Sequence, residues 1–172
     1  MAQMIVRMGE HAASAAAEDV LVTIGLGSCI GLAMVDRANR IAGLAHVVLP
    51  DSHESQPPHP AAKFADTAVP ALLDELAALG ASRAQLEAVL VGGAQMFGFS
   101  RKPGSGLDVG ARNDAAVTAA LERARIPLRA RATGGNKGRT IRVEVSTGSI
   151  TVREAGGREE HLLAPDAAAR AA

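Results

Sequence analysis

Between residues 19 and 49 the chain runs through three short apolar segments, 19–24, 29–35 and 41–49. Only Gly25-Leu26-Gly27-Ser28 and Asp36-Arg37-Ala38-Asn39-Arg40 part them. Runs this short and this rich in Val, Ile and Leu are strands rather than helices. Connectors this short make successive strands neighbours, so the expectation is an antiparallel meander. Pro50-Asp51-Ser52 ends the third strand.

The pattern then changes. Residues 52–60 hold three prolines and two histidines and read as a surface loop. From 61 to 79, Phe64, Ala68, Leu72, Leu76 and Leu79 recur at helical spacing, with Gly80 as the stop. Pro70 lacks the amide hydrogen of a helix interior, so that helix should kink or start late. Further strands are expected at 86–91, up to Gly92-Gly93, and after Pro127 as far as residue 132. Residues 98–110 read as a loop, and Asn113 or Asp114 can cap a second helix to about Arg125. A hairpin should join 140–146 to 149–154. A strand is also expected at 5–8, a loop or weak helical turn at 11–18, and a polar, alanine-rich flexible tail over 158–172. The fold class is α/β: a single-domain layered sandwich over 1–157, with mixed or antiparallel β-sheets flanked by two main helices.

Composition excludes several function classes. The chain has 172 residues, 48% of them apolar and only 2% aromatic, so its core must be Ala, Val, Leu and Ile. Eighteen basic residues balance eighteen acidic ones. Such neutrality gives no reason to expect nucleic acid or an anionic membrane as partner. No apolar run suits membrane insertion, and the first residues do not read as a signal peptide. A single cysteine and no export signal point to the cytoplasm.

That cysteine, Cys29, follows Gly25, Gly27 and Ser28. It is either a small buried hydrophobe at a strand start or a nucleophile, and composition alone favours the first. Thiolates attack carbonyl carbon, so a nucleophile needs a base within reach. His46, in an otherwise apolar strand, is either a satisfied core histidine or that base. Antiparallel pairing of 29–35 with 41–49 would bring both to one end of the sheet. Thr23 could hydrogen-bond the imidazole and fix its tautomer, or be an ordinary strand residue. The small residues Gly27 and Ser28 let substrate approach the backbone, whose free N–H groups could hold an oxyanion. His11, His53, His59 and His161 are scattered at spacings that suggest no metal site, and no cofactor is expected. Gly92-Gly93 lacks the Lys-Ser/Thr of a phosphate loop.

The segments Thr23-x-Gly25-Leu26-Gly27-Ser28-Cys29 and Ala45-His46-Val47-Val48-Leu49-Pro50-Asp51-Ser52 resemble the CheD family of chemoreceptor glutamine deamidases of bacterial chemotaxis. So do Lys63-Phe64-Ala65-Asp66-Thr67-Ala68, Gly92-Gly93-Ala94-x-Met96-Phe97, Gly110-Ala111-Arg112-Asn113 and Thr133-Gly134-Gly135-Asn136, in order over nearly the whole chain. The resemblance implies a Cys29–His46–Thr23 triad and a fold similar to toxin deamidase domains. It implies hydrolysis of glutamine side-chain amides to glutamate on methyl-accepting chemoreceptors through a cysteine thioester, and hydrolysis of receptor glutamyl methyl esters in some members. It implies a CheC-type phosphatase as regulatory partner. The loops 52–60 and 98–107 depart from the family pattern, at a rim where receptor preference would be set.

Overall fold

A computed structural model describes residues 2–53, 55–96 and 108–170. Ten strands form two five-stranded mixed sheets. The first sheet has the order β1 (Ala2–Ile5), β3 (Asp19–Leu26), β8 (Arg139–Glu144), β9 (Ile150–Glu154) and β10 (Glu159–Leu163). The second has the order β2 (His11–Ser14), β5 (Ile41–Val47), β4 (Ile30–Asp36), β6 (Glu87–Gly92) and β7 (Leu128–Thr133). The helices α1 (Ala65–Ala78) and α2 (Val109–Ala124) pack on one face of the second sheet, and a short α3 (Ala167–Arg170) ends the described chain. The molecule is thus three layers deep: sheet, sheet, helices.

Side-chain alternation along β4 and β5 divides the interior into two cores. Ile30, Leu32, Met34, Ala45 and Val47 face the helices and meet Leu72, Leu76, Val117 and Leu121. Ala33, Val35, Ala42 and Leu44 face the other sheet and meet Leu21, Leu26, Ile141 and Val143. β4 and β5 are buried along their whole length, which is why their sequence reads as nearly unbroken apolar runs.

The α/β layered sandwich is as the sequence indicates, and so are the β4–β5 and β8–β9 hairpins. The meander is not. β3 lies in the first sheet and β4 in the second, so the chain changes layers at Gly27–Cys29. Strand periodicity reports which residues are buried but not which sheet buries them. Residues 11–14 form a strand against β5 rather than a loop, and the first strand spans Ala2–Ile5. Glu159–Leu163 adds a strand to β9 where a flexible tail is expected, its polar side chains exposed at the sheet edge.

Helix α1 starts at Ala65 with Pro70 inside it. It ends in a cap where Gly80 N–H donates to Ala77 O and Ala81 N–H to Leu76 O. Leu79 is exposed and off the buried face. Helix α2 starts earlier than expected, capped by Asp108, whose carboxylate accepts from Ala111 N–H at 3.0 Å, so Asn113 lies in its second turn. Most of the loop expected at 98–110 lies outside the described residues.

Candidate active site

The layer change sets the site. In the β4–β5 ladder Gly31 lies opposite His46. Opposed residues of an antiparallel pair project from the same face, as do residues two apart on one strand. Cys29, two residues before Gly31, therefore shares the inter-sheet face with His46 as a diagonal neighbour, a pairing of roughly 7 Å between backbones. Cys29 is half-buried against the inter-sheet core. Thr23, opposite Ile141 in the β3–β8 ladder, points inward from the other sheet and is fully buried. The three residues singled out in the sequence thus occupy one end of the space between the sheets.

His46 is held from both sides. Its N–H donates to Glu10 O at 2.9 Å, and its carbonyl accepts from Gly9 N–H at 3.0 Å. Its Nδ1 lies 3.4 Å from Val6 O. A carbonyl only accepts, so Nδ1 carries the proton and Nε2 keeps a lone pair for accepting one. The Thr23 hydroxyl donates to the same Val6 O at 2.9 Å rather than to the imidazole. The two side chains meet through a backbone carbonyl, which no sequence motif could reveal. Among the described residues the Cys29 thiol makes no hydrogen bond.

Electrostatics set the resting protonation. Burial pushes the Cys29 thiol above its ordinary value. Burial also pushes the His46 imidazole down, against the opposing pull of the Val6 carbonyl and the Glu10 charge. Both shifts favour the neutral forms, so the pair rests at neutral pH as thiol and imidazole rather than thiolate and imidazolium.

The backbone around Cys29 is built by close approach of glycine segments. Ala94 N–H donates to Gly27 O at 2.8 Å and Gly93 N–H to Cys29 O at 2.9 Å. Gly92 has φ +114°, and a Cβ there would lie 2.2 Å from Cys29 O. A Cβ on Gly110, in the first turn of α2, would lie 2.4 Å from Gly93 O. No other residue lets these segments touch. The turn 133–136 joins them: Gly134 N–H donates to Gly92 O and Gln95 N–H to Gly135 O. The nearly buried Arg139 clamps both, with Nη1 donating to Gly92 O at 3.2 Å and Gly134 O at 2.7 Å. Met96 lies over Gly27. Phe97 is outside the described residues. The N–H groups of Ser28 and Cys29 donate to no group among the described residues, which leaves two backbone donors beside the thiol.

Asn113, which sequence reading takes for a cap, turns inward to the Cys29 turn. It is fully buried, and its Nδ2 donates to Ser28 O at 3.0 Å and to Val48 O at 2.9 Å. The remaining histidines have local partners: His11 with Glu75, His59 edge-on to Phe64, and His161 with Ser149. His53 joins Asp51 and Asp66 in a surface group with ligand atoms within 4.8 Å, a convergence the spacing does not suggest. Asp66 there accepts from both Ser52 N–H and Ser52 Oγ, and Asp51 pairs with His53. Among the described residues no helix is long and apolar enough to cross a membrane.

Comparison with known proteins places the chain in a family. Residues 48–154 match the sequence model of CheD, described as chemotactic sensory transduction. That span begins after His46, so the match does not depend on Thr23, Cys29 or His46. A protein of Clostridium kluyveri named probable chemoreceptor glutamine deamidase CheD is 46% identical over 136 residues, 79% of this chain and 83% of the relative. One of the same name from Clostridium botulinum (strain Hall) is 44% identical over 138 residues, 80% of this chain and 85% of the relative. The family model covers more than half of the chain and the relatives most of it: the chain belongs to the CheD family.

Proposed function

We propose that this protein hydrolyses glutamine side-chain amides of methyl-accepting chemoreceptors to glutamate and ammonia, with Cys29 as nucleophile, His46 as general acid–base and Thr23 supporting His46 through Val6. The observation that carries the reading is the shared inter-sheet face of Cys29 and His46, with Nδ1–H turned to Val6 O and Nε2 left to accept a proton. Names of relatives support the substrate class.

Nε2 of His46 takes the proton from Sγ as sulfur attacks the amide carbon. The carbonyl oxygen becomes an oxyanion held by the N–H groups of Ser28 and Cys29. His46 returns its proton to the nitrogen, the C–N bond breaks and ammonia leaves, giving a thioester. Water, deprotonated by His46, attacks the thioester. The C–S bond breaks, the carboxylate is released and Sγ recovers its proton. A glutamyl methyl ester enters the same path with methanol as leaving group. Every group in the cycle belongs to the chain or to water.

Mass spectrometry of a chemoreceptor cytoplasmic domain from the same organism, incubated with the protein and with Cys29→Ala, tests this. The expected result is a glutamine-to-glutamate mass shift with the wild type alone. A shift that survives Cys29→Ala would remove the thiol from the mechanism, and no shift with either would remove the activity.

A further inference from the structure

Three successive carbonyls approach the nucleophile, and each has its own donor. Gly27 O accepts from Ala94 N–H and Cys29 O from Gly93 N–H, both backbone to backbone. The middle one, Ser28 O, accepts from the Asn113 side chain at 3.0 Å. That peptide carries the Cys29 N–H. In a planar trans peptide the N–H points opposite to the preceding C=O, so fixing Ser28 O fixes the direction of the Cys29 N–H. The flanking peptides, including the one that carries the Ser28 N–H, are pinned by main chain, and the one that carries the Cys29 N–H is pinned by a side chain.

The same Nδ2 donates to Val48 O at 2.9 Å, two residues beyond His46. One amide group therefore ties the nucleophile turn to the end of the strand that carries the base. Among the described residues Asn113 Oδ1 is buried with no hydrogen-bond partner. Turning the amide over would set Oδ1 against two carbonyl oxygens, so its orientation is dictated by its two acceptors. A side chain that leaves its own acceptor unpaired is retained for its donors. It reaches them because Gly110, one turn earlier in α2, lets the helix rest on Gly93 and Ala94.

We propose that Asn113 is a positioning residue for the deamidation reaction: it holds the Ser28–Cys29 peptide so that the Cys29 N–H faces the developing oxyanion, and keeps that turn in register with the His46 strand. The inference rests on the proposed role of Cys29. It extends it by naming the residue on which one of the two oxyanion donors, the Cys29 N–H, depends.

The test compares the wild type with Asn113→Asp and Asn113→Ser, the milder change if aspartate prevents folding. Two rates are read on each folded protein: ammonia release from a chemoreceptor cytoplasmic domain, and alkylation of Cys29 by iodoacetamide. Alkylation is substitution at a saturated carbon and develops no oxyanion, so it reports thiol access and basicity alone. Loss of one oxyanion donor lowers kcat by about 100-fold or more. The expected result is that loss in kcat with KM and the alkylation rate unchanged. Wild-type kcat in both variants overturns the proposal. A parallel fall in kcat and alkylation overturns it too, because Asn113 would then hold only the general scaffold. If Cys29→Ala still released ammonia, the parent reading would fall and this one with it, a result distinct from a fully active Asn113 variant.

Discussion

Thr23→Val separates two ways in which a threonine can serve a histidine. Valine has the same shape and lacks the hydroxyl. In the structure that hydroxyl touches Val6 O, not the imidazole. A residue that directly orients a catalytic imidazole is worth about 10⁴ in kcat. A hydrogen bond acting through a shared carbonyl contributes about 1 kcal/mol, which corresponds to a factor of about ten at most. The carbonyl stays in place without it, because Val6 N–H donates to Val22 O at 2.8 Å and β1 pairs with β3 just before. The variant should therefore lose about 1 kcal/mol of stability, a fall in Tm of about 2–4 °C for a chain of this size. It should keep kcat within about tenfold of the wild type. Thr23→Ser, which retains the hydroxyl, should keep kcat in full. Thermal unfolding by circular dichroism and ammonia release from a receptor domain give both numbers. A folded Thr23→Val protein with kcat down by about 10³ or more would refute the reasoning, since a contact shared through Val6 cannot supply that much.

Two further outcomes follow from the site. His46 must be unprotonated to act as base and its value lies below the ordinary 6.5, so kcat should hold as pH falls past 6.5 and drop only at lower pH. The unfolded chain binds that proton first, so stability should also decline as pH falls from 6.5 toward the folded value. A kcat limb above pH 6.5, read from a pH–rate profile, would contradict this assignment. Gly92→Ala would place a Cβ 2.2 Å from Cys29 O at a φ of +114°. The strain and the displaced turn should together remove about 3 kcal/mol or more, measured by urea unfolding, and a loss under about 1 kcal/mol would show that the turn relaxes freely.

What the sequence made legible depended on how strongly burial marks each segment. β4 and β5 are covered on both faces, so apolar residues fill every position and the strands are plain. The short polar turn between them implies antiparallel pairing, and that pairing alone brings Cys29 and His46 to one end of the sheet. β2 is not legible because His11-Ala12-Ala13-Ser14 has no β-branched residue, and its strand state comes from the hydrogen bonds of β5. β10 is not legible because Glu159, Glu160 and His161 are exposed on an edge strand whose ladder partner is β9. Thr23 stands out in the sequence but its partner does not, since Val6 acts through its carbonyl and any residue supplies one. Asn113 reads as a cap because Asn caps helices. Asp108 takes that place, which frees Asn113 to turn inward.

With Cys29 as the proposed nucleophile, the layer change reconciles burial with reactivity. A thiol and an imidazole between two sheets are both driven neutral by desolvation, and a resting ion pair would place two charges where each is disfavoured. Proton transfer must then accompany attack, with the new negative charge moving from sulfur to the substrate oxygen. That oxygen needs donors that are already oriented, because reorienting them would add to the barrier. Cys29 lies where the chain leaves one sheet for the other, so the preceding backbone is not consumed by either ladder and its N–H groups remain available. A nucleophile in mid-strand would enjoy the same burial and lose those donors to a neighbouring strand. The glycine segments and Asn113 pin the crossing by hydrogen bonds and close approach, so on that reading the burial that keeps the resting pair neutral coexists with backbone donors set in advance for the charge that attack would create.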